Sequence, residues 1–152
     1  MSRDDIRFMG EALTEAERVS GRTGDNPHVG CVIVHNGSII ARGATQPPGG
    51  PHAEIMAIRQ AEEKGETLRG SEIFVTLEPC TFHGRTPPCT SQLIEKAPSR
   101  VVIGITDPHP LVNGKGIEEL KAAGIEVVVG ILQDEIALLL SDWLARFRNE
   151  NG

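Results

Sequence analysis

The order of strand and helix patterns constrains the fold of this chain more than any other feature of the sequence. Asn36-Gly37 lies between two short apolar runs, and this dipeptide in that setting predicts a tight antiparallel hairpin. Further along the chain, apolar strand patterns at 73–77, 101–105 and 125–129 are separated by helical patterns. Strands that alternate with helices need crossover connections, which favour a parallel arrangement. The sequence therefore predicts a three-layer α/β fold.

Four segments carry apolar residues at the three- and four-residue steps of a helix. They are 4–19, 52–64, 116–123 and 134–147. The stretch 45–51 holds three prolines and two glycines, so it predicts a loop that leads into the second helix. A length of 152 residues is the size of one domain, and no repeat or long linker divides the chain.

Charge and aromatic content argue against nucleic acid as a partner. Fifteen Lys and Arg stand against twenty-one Asp and Glu, which gives a net charge of −6, and the aromatic residues are four Phe and one Trp. A nucleic-acid-binding surface needs a basic face and, for single strands, aromatic side chains on which bases stack. No long apolar run is present, so we expect no membrane span.

The three cysteines favour a reducing, cytoplasmic setting. Their number is odd, and the polar start of the chain at 1–5 has no secretory pattern. Cys31 lies inside an apolar strand pattern and is interpreted as a core thiol. Cys80 and Cys89 remain, and they raise the question of a metal.

His52, Glu54, Cys80 and Cys89 are the residues from which we expect chemistry. One imidazole and two thiolates supply three zinc ligands and leave the fourth position for water. Prolines before His52 and Cys89 suit the starts of two helices, whose positive ends favour thiolates. Zinc lowers the pKa of its bound water to about 7. Glu54, two residues after His52, would carry a proton from this water to a leaving nitrogen.

Each of these residues also has a plainer interpretation. Glu54 could simply stabilise the start of a helix. The two cysteines could be a buried thiol pair or a redox pair, although redox motifs separate their cysteines by two residues rather than by eight. The joint occurrence favours zinc chemistry, because His-x-Glu, then Pro-Cys, then a second Cys match the zinc-deaminase pattern in kind and order.

Six motifs extend this pattern along nearly the whole chain. They are Asn26-Pro27, Val29-Gly30-Cys31-Val32-Ile33-Val34, Gly50-Pro51-His52-Ala53-Glu54, Thr76-Leu77-Glu78-Pro79-Cys80, Gly84-Arg85-Thr86-Pro87-Pro88-Cys89, and Asp107-Pro108 through Gly114-Lys115-Gly116-Ile117. Together they resemble the deaminase domain of the bifunctional riboflavin-biosynthesis pyrimidine deaminase/reductase, a branch of the cytidine-deaminase-like superfamily. The eight-residue gap between the cysteines is specific to that branch.

The resemblance implies a five-stranded mixed sheet between helices and one zinc-dependent deaminase domain over 1–152. It implies zinc at His52, Cys80 and Cys89, with Glu54 as the proton shuttle. The reaction it implies is hydrolytic removal of an exocyclic amine from diaminohydroxyphosphoribosylaminopyrimidine. An enzyme with this activity is a hydrolase that acts on C–N bonds of cyclic amidines. Since the superfamily typically builds its sites at subunit contacts, the resemblance also implies a homodimer or higher homo-oligomer.

The resemblance further implies substrate contacts at Asn26 and Arg85, and the residues between the two zinc cysteines add Phe82 and His83 as candidates. Asn26 would bind the edge of a pyrimidine, or it is only a turn residue before a proline. Arg85 would hold a phosphate with its guanidinium, or it is a surface charge. Phe82 would stack on a planar base or merely pack, and His83 would face the substrate or be simply exposed.

Two substrate-side positions depart from the family. Relatives commonly carry a His where this chain has Thr45, and Ser-His where it has Thr81-Phe82. The roles of Lys115 and His109 stay open. The sequence therefore predicts the chemistry more sharply than the substrate.

The leading hypothesis is a zinc-dependent deaminase of a small aminated heterocycle. Another nucleobase, nucleoside or specialised metabolite is the alternative substrate. A tRNA-adenosine editor would share the metal chemistry, but the net charge and the scarcity of aromatic residues count against it. A non-catalytic zinc-containing partner subunit is the alternative from a different class, and the presence of Glu54 counts against it.

Overall fold

The computed structural model describes residues 3–24, 26–47, 50–81, 89–109 and 112–145. Its helices and strands alternate after an initial helix and hairpin, as predicted. In chain order they are α1 (Arg3–Arg18), β1 (Gly30–His35), β2 (Ser38–Ala44), α2 (Ala53–Glu63), β3 (Glu72–Leu77), α3 (Cys89–Glu95), β4 (Arg100–Ile105), α4 (Lys115–Ala122), β5 (Glu126–Val129) and α5 (Gln133–Leu139).

The five strands form one mixed sheet in the order β2-β1-β3-β4-β5. β1 pairs antiparallel with both β2 and β3, whereas β3, β4 and β5 run parallel to one another. β1, β3 and β4 occupy the middle of the sheet and are almost wholly buried, which explains their continuous apolar runs. The predicted α/β fold with a five-stranded mixed sheet is confirmed.

The hairpin between β1 and β2 turns at the dipeptide that predicted it. Asn36 and Gly37 have φ angles of 52° and 81°, and two successive residues with positive φ are what a tight type I′ turn requires. The register shifts between Ile33 and Val34. This irregularity in the pairing could not be inferred from the apolar pattern, because both residues are equally apolar.

Helices cover the two faces of the sheet, and glycines allow two of them to approach closely. A Cβ at Gly30 would lie 1.9 Å from the carbonyl oxygen of Ala12 in α1, and one at Gly43 would lie 2.3 Å from that of Ala53 in α2. Because Gly43 pairs with Cys31 rather than with Gly30, these glycines point to opposite faces. α1 and α2 therefore lie on opposite sides of the sheet.

The closing helix differs from its prediction. We predicted one helix over 134–147, whereas α5 ends at Leu139 and the chain is helical again at 141–145. At Leu140 the backbone leaves helical geometry, with φ −95° and ψ 15°. The apolar spacing continues across this point, so periodicity could not locate the break. No helix of the described residues is both long and apolar enough to span a bilayer.

Candidate active site

His52, Cys80 and Cys89 lie together although they are far apart in sequence. The His52 Nδ1 atom is 3.1 Å from the Cys89 Sγ atom and 3.7 Å from the Cys80 Sγ atom. The three possible ligand atoms all lie within 4.8 Å of one another. The structure thus gathers into one cluster the three side chains that the sequence predicts as metal ligands.

The cluster has the dimensions that a zinc ion requires. Tetrahedral bonds of about 2.3 Å to sulfur and about 2.0 Å to nitrogen place N and S roughly 3.6 Å apart. The distance from His52 to Cys80 matches this value, and that to Cys89 is shorter. Imidazole and thiolates are also the donors that zinc prefers. The three residues could therefore hold a zinc ion and leave one position open.

Backbone elements position each of these side chains. His52 is the residue before α2 and takes an extended conformation, and its side chain does not cap the helix, so its imidazole is available to the cluster. Cys80 follows the buried strand β3, and Cys89 begins α3. The Cys89 amide donates a hydrogen bond to the Cys80 sulfur at 3.4 Å, and the Thr90 amide donates to the Cys80 carbonyl at 3.2 Å. Two amides at the start of α3 thus hold Cys80 in place.

The two cysteines perturb each other's acidity strongly. A hydrogen bond from Cys89 lowers the pKa of the Cys80 thiol to about 4, and contact with His52 contributes to this shift. The same contact with Cys80 raises the pKa of Cys89 well above its ordinary value. The hydrogen bond to Cys80 also raises the pKa of His52. These contacts therefore favour a thiolate at Cys80, a neutral thiol at Cys89 and a proton on His52. Zinc binds thiolates and neutral imidazole, so a zinc ion bound there would displace the protons of Cys89 and His52.

Glu54 lies in the first turn of α2 and is only 4% exposed. Burial raises the pKa of this carboxyl to about 7, although the neighbouring His52 opposes the shift. A hydrogen bond with Cys89 places the carboxylate beside the ligand cluster. A carboxyl group with a pKa near neutrality can both accept and return a proton at physiological pH. Glu54 is therefore suited to proton transfer next to a metal.

Cys31 is the third cysteine and is fully buried in β1. Burial raises the pKa of its thiol well above the ordinary value, which keeps it neutral. It packs within the hydrophobic core. This agrees with its interpretation as a core thiol.

Asn26, a predicted substrate contact, and Thr45, which stands where relatives carry a His, both make backbone contacts. The Asn26 amide donates to the Thr23 carbonyl, and its own carbonyl accepts from the Thr23 hydroxyl at 2.7 Å, so Asn26 is an exposed residue in a turn. The Thr45 hydroxyl accepts from the Val29 amide at 2.8 Å and donates to the Pro27 carbonyl at 3.1 Å. Thr45 therefore fixes the segment that precedes β1.

Three other predicted substrate contacts, Phe82, His83 and Arg85, lie outside the described residues. Of the two residues whose roles were left open, Lys115 is exposed at the start of α4. His109 is half-buried, and its amide donates to the Asp107 carboxylate at 2.8 Å.

Sequence reasoning missed Glu78, a buried carboxylate two residues before Cys80. Glu78 is 2% exposed and accepts backbone hydrogen bonds from the connection between β4 and α4 and from the first turn of α4. A signal was present in the sequence, since an acidic residue directly after a largely apolar strand needs buried donors. The glycines around Lys115 offered such donors.

Comparison with known proteins gives a consistent result. The family described as "Cytidine and deoxycytidylate deaminase zinc-binding region" matches residues 2–105. The riboflavin biosynthesis protein RibD of Aquifex aeolicus is 45% identical over 146 residues, which cover 96% of this chain and 40% of that protein. RibD of Escherichia coli is 45% identical over 144 residues, 95% of this chain and 38% of that protein.

A solved structure from Thermotoga maritima shares the fold. That protein is a diaminohydroxyphosphoribosylaminopyrimidine deaminase/5-amino-6-(5-phosphoribosylamino)uracil reductase, and it superposes with a TM-score of 0.91 at 44% identity. The match covers 97% of this chain and 42% of that one. This chain thus spans about two fifths of the length of the relatives it matches.

Proposed function

This chain belongs to the cytidine and deoxycytidylate deaminase zinc-binding family, and on that premise we propose that it is a zinc-dependent hydrolytic deaminase of a small aminated heterocycle. The observation that carries the proposal is the cluster of His52, Cys80 and Cys89 with the buried carboxyl of Glu54 beside it. We propose diaminohydroxyphosphoribosylaminopyrimidine as the substrate, because the Thermotoga maritima relative, at 44% identity, is a deaminase of this compound.

In this proposal His52, Cys80 and Cys89 hold the zinc ion. Zinc bound there would supply an acidified water, with a pKa of about 7, at the position that the three ligands leave open. The residues around the cluster hold the three ligand side chains in position for zinc. The start of α3 fixes Cys80 through two amides, and the extended backbone at His52 presents the imidazole to both thiols.

Glu54 moves the protons of the reaction. Hydrolytic deamination adds one water to the amine-bearing ring carbon and releases one ammonia. Because the water oxygen becomes a ring carbonyl, one of its protons goes to the adjacent ring nitrogen and the other must travel to the departing nitrogen. The Glu54 carboxylate accepts this proton and then donates it to the amine. Its burial keeps bulk water away from the shuttle and holds its pKa near 7.

Contacts with the substrate are part of the proposal. Asn26 would bind the edge of the pyrimidine, Phe82 would stack on its face, His83 would contact it from the same loop, and Arg85 would bind the phosphate. The net charge of −6 makes a local cation such as Arg85 necessary for a phosphorylated substrate, since the protein as a whole repels anions.

One panel of substrates tests the proposal. Zinc-loaded protein is incubated with diaminohydroxyphosphoribosylaminopyrimidine, cytosine, cytidine, guanine and adenine side by side, and ammonia release is measured. We expect release from the phosphorylated pyrimidine far above that from the others. Preference for another compound of the panel would refute the proposed substrate. Absence of ammonia release from all of them, at full zinc occupancy, would refute the proposed deaminase activity.

Three broader expectations accompany the activity. We propose that 1–152 form a single deaminase domain, which the one continuous sheet and core support. We propose a cytoplasmic setting, because Cys80 and Cys89 must stay reduced to bind metal. We also propose a homo-oligomer, for which the 76% exposed Leu138 offers apolar surface. If subunits complete each other's sites, dilution should lower activity together with the oligomer fraction in sedimentation.

A further inference from the structure

The carboxylate of Glu78 accepts four hydrogen bonds, all from backbone amides. Oε1 accepts from the amides of Asp107 and Gly114 at 3.1 and 3.0 Å, and Oε2 accepts from those of Gly116 and Ile117 at 2.9 and 3.3 Å. Every lone-pair position of the carboxylate is thus used. We call this arrangement the Glu78 clamp.

The clamp joins the end of β3 to the start of α4. Gly114 is the residue before α4, so Gly116 and Ile117 belong to its first turn, whose amides have no partners within the helix. Glu78 supplies these partners from another element, and its negative charge favours the positive end of the helix. The approach is so close that a Cβ at Gly116 would lie 2.5 Å from the Pro79 carbonyl oxygen.

The clamp also places the connection after β4 beside the candidate zinc site. β3 and β4 are adjacent parallel strands, so Cys80 and Asp107 follow them at the same edge of the sheet. This carboxyl edge is where α/β sheets bind ligands. Cys80 has its own anchors at the start of α3, so loss of the clamp would release the β4–α4 connection and leave the metal ligands in position.

From this geometry we infer that Glu78 is a positioning residue, which holds Asp107 and the start of α4 at 114–117 as one wall of the substrate site. The inference rests on the proposed deaminase function. Glu78 touches neither metal nor substrate in this account. It acts through the backbone of 107 and 114–117, which it fixes against the strand end that carries Cys80.

Glu78→Gln tests the inference, because the amide keeps one acceptor oxygen and turns an N–H donor towards one pair of backbone amides. We expect KM to rise about tenfold or more while kcat stays within about threefold, with zinc content unchanged. Hydrogen exchange should accelerate in the peptide that spans 107–117. Glu78→Asp keeps the charge on a shorter side chain and should give an intermediate KM, which keeps the test decisive if the Gln variant is poorly folded.

Glu118→Gln is the matched control. Glu118 is exposed in the same first turn of α4, so its substitution removes the same charge without removing a hydrogen bond of the clamp. We expect wild-type KM and wild-type exchange. A merely structural role for Glu78 would lower the folded fraction, and hence kcat, at constant KM.

Unchanged KM in both Glu78 variants would overturn the inference. So would a rise in KM of equal size in the Glu118 control. Failure of the deaminase proposal is a different result, because the wild-type protein would then release no ammonia at all. Failure of the inference leaves an active wild type and Glu78 variants with the wild-type KM.

Discussion

Gly43→Ala tests how precisely the sheet positions the candidate catalytic residues. Gly43 lies on β2 and faces α2, the helix that carries Glu54 and follows His52. A Cβ at this position would lie 2.3 Å from the Ala53 carbonyl oxygen and 2.5 Å from the Ala57 amide nitrogen. Both neighbours are backbone atoms and cannot rotate away.

The size of the effect follows from these distances. An ordinary contact for a Cβ begins at 3.4 Å, so α2 must move away from β2 by about 1 Å to admit the methyl group. A displacement of about 1 Å at catalytic groups can cost about a hundredfold in rate. Overpacking of this kind also lowers the free energy of unfolding by about 1–3 kcal/mol.

Ammonia release and urea denaturation measure the two effects on the same protein. Gly10→Ala is the matched control, since Gly10 lies within α1 and its nearest contact for a Cβ is 4.0 Å away. This variant should be more stable by up to about 1 kcal/mol, because alanine suits a helix interior better than glycine, and its kcat/KM should be that of the wild type. A Gly43→Ala protein with wild-type kcat/KM would refute the reasoning.

Three further predictions concern stability and metal binding. Arg100 donates to both carboxylate oxygens of Asp5 at 2.6 and 2.8 Å, so Asp5→Asn should lower the free energy of unfolding by about 1–3 kcal/mol, and an unchanged urea midpoint would contradict this. Burial raises the pKa of Asp107 to about 6. The stability that its protonated form provides below pH about 4 should therefore be lost as the pH rises through 6. Asp107→Asn should remove this pH dependence of the free energy of unfolding. An equally steep dependence in the variant would refute the prediction. Cys89→Ser should abolish the rise in Tm that added zinc gives the wild type, and a persisting rise would show that zinc binds elsewhere.

Much of the fold could be predicted because its signals are local. Asn36-Gly37 predicts the hairpin. Strands that are buried on both faces are recognisable as apolar runs, such as 101–105 within β4. Element ends were less certain by one or two residues, as at α1, because helix ends depend on caps rather than on periodicity. The break at Leu140 lies within continuous apolar spacing, and nothing in that spacing marks it.

The candidate site likewise has a part that the sequence predicts and a part that it does not. His52, Glu54, Cys80 and Cys89 could be singled out from sequence, because the chemistry of a metal restricts both residue type and order. The Glu78 clamp could be predicted only in part. An acidic residue after a buried strand marks Glu78 itself, but its partners are backbone amides up to 39 residues away, and the sequence does not say which amides they are. The Thr45 hydroxyl is similar, because it bonds the backbone of Pro27 and Val29 at the open end of the β1–β2 hairpin.

The central claim is that Glu54 transfers the proton for a deamination carried out at His52, Cys80 and Cys89. Glu54→Gln keeps the size and burial of the side chain and removes its ability to accept that proton. Ammonia release from diaminohydroxyphosphoribosylaminopyrimidine, measured together with zinc content, tests the claim most directly. We expect full zinc occupancy and a kcat lower by about 10²- to 10⁴-fold. A zinc-loaded Glu54→Gln protein that turns over at nearly the wild-type rate would contradict it.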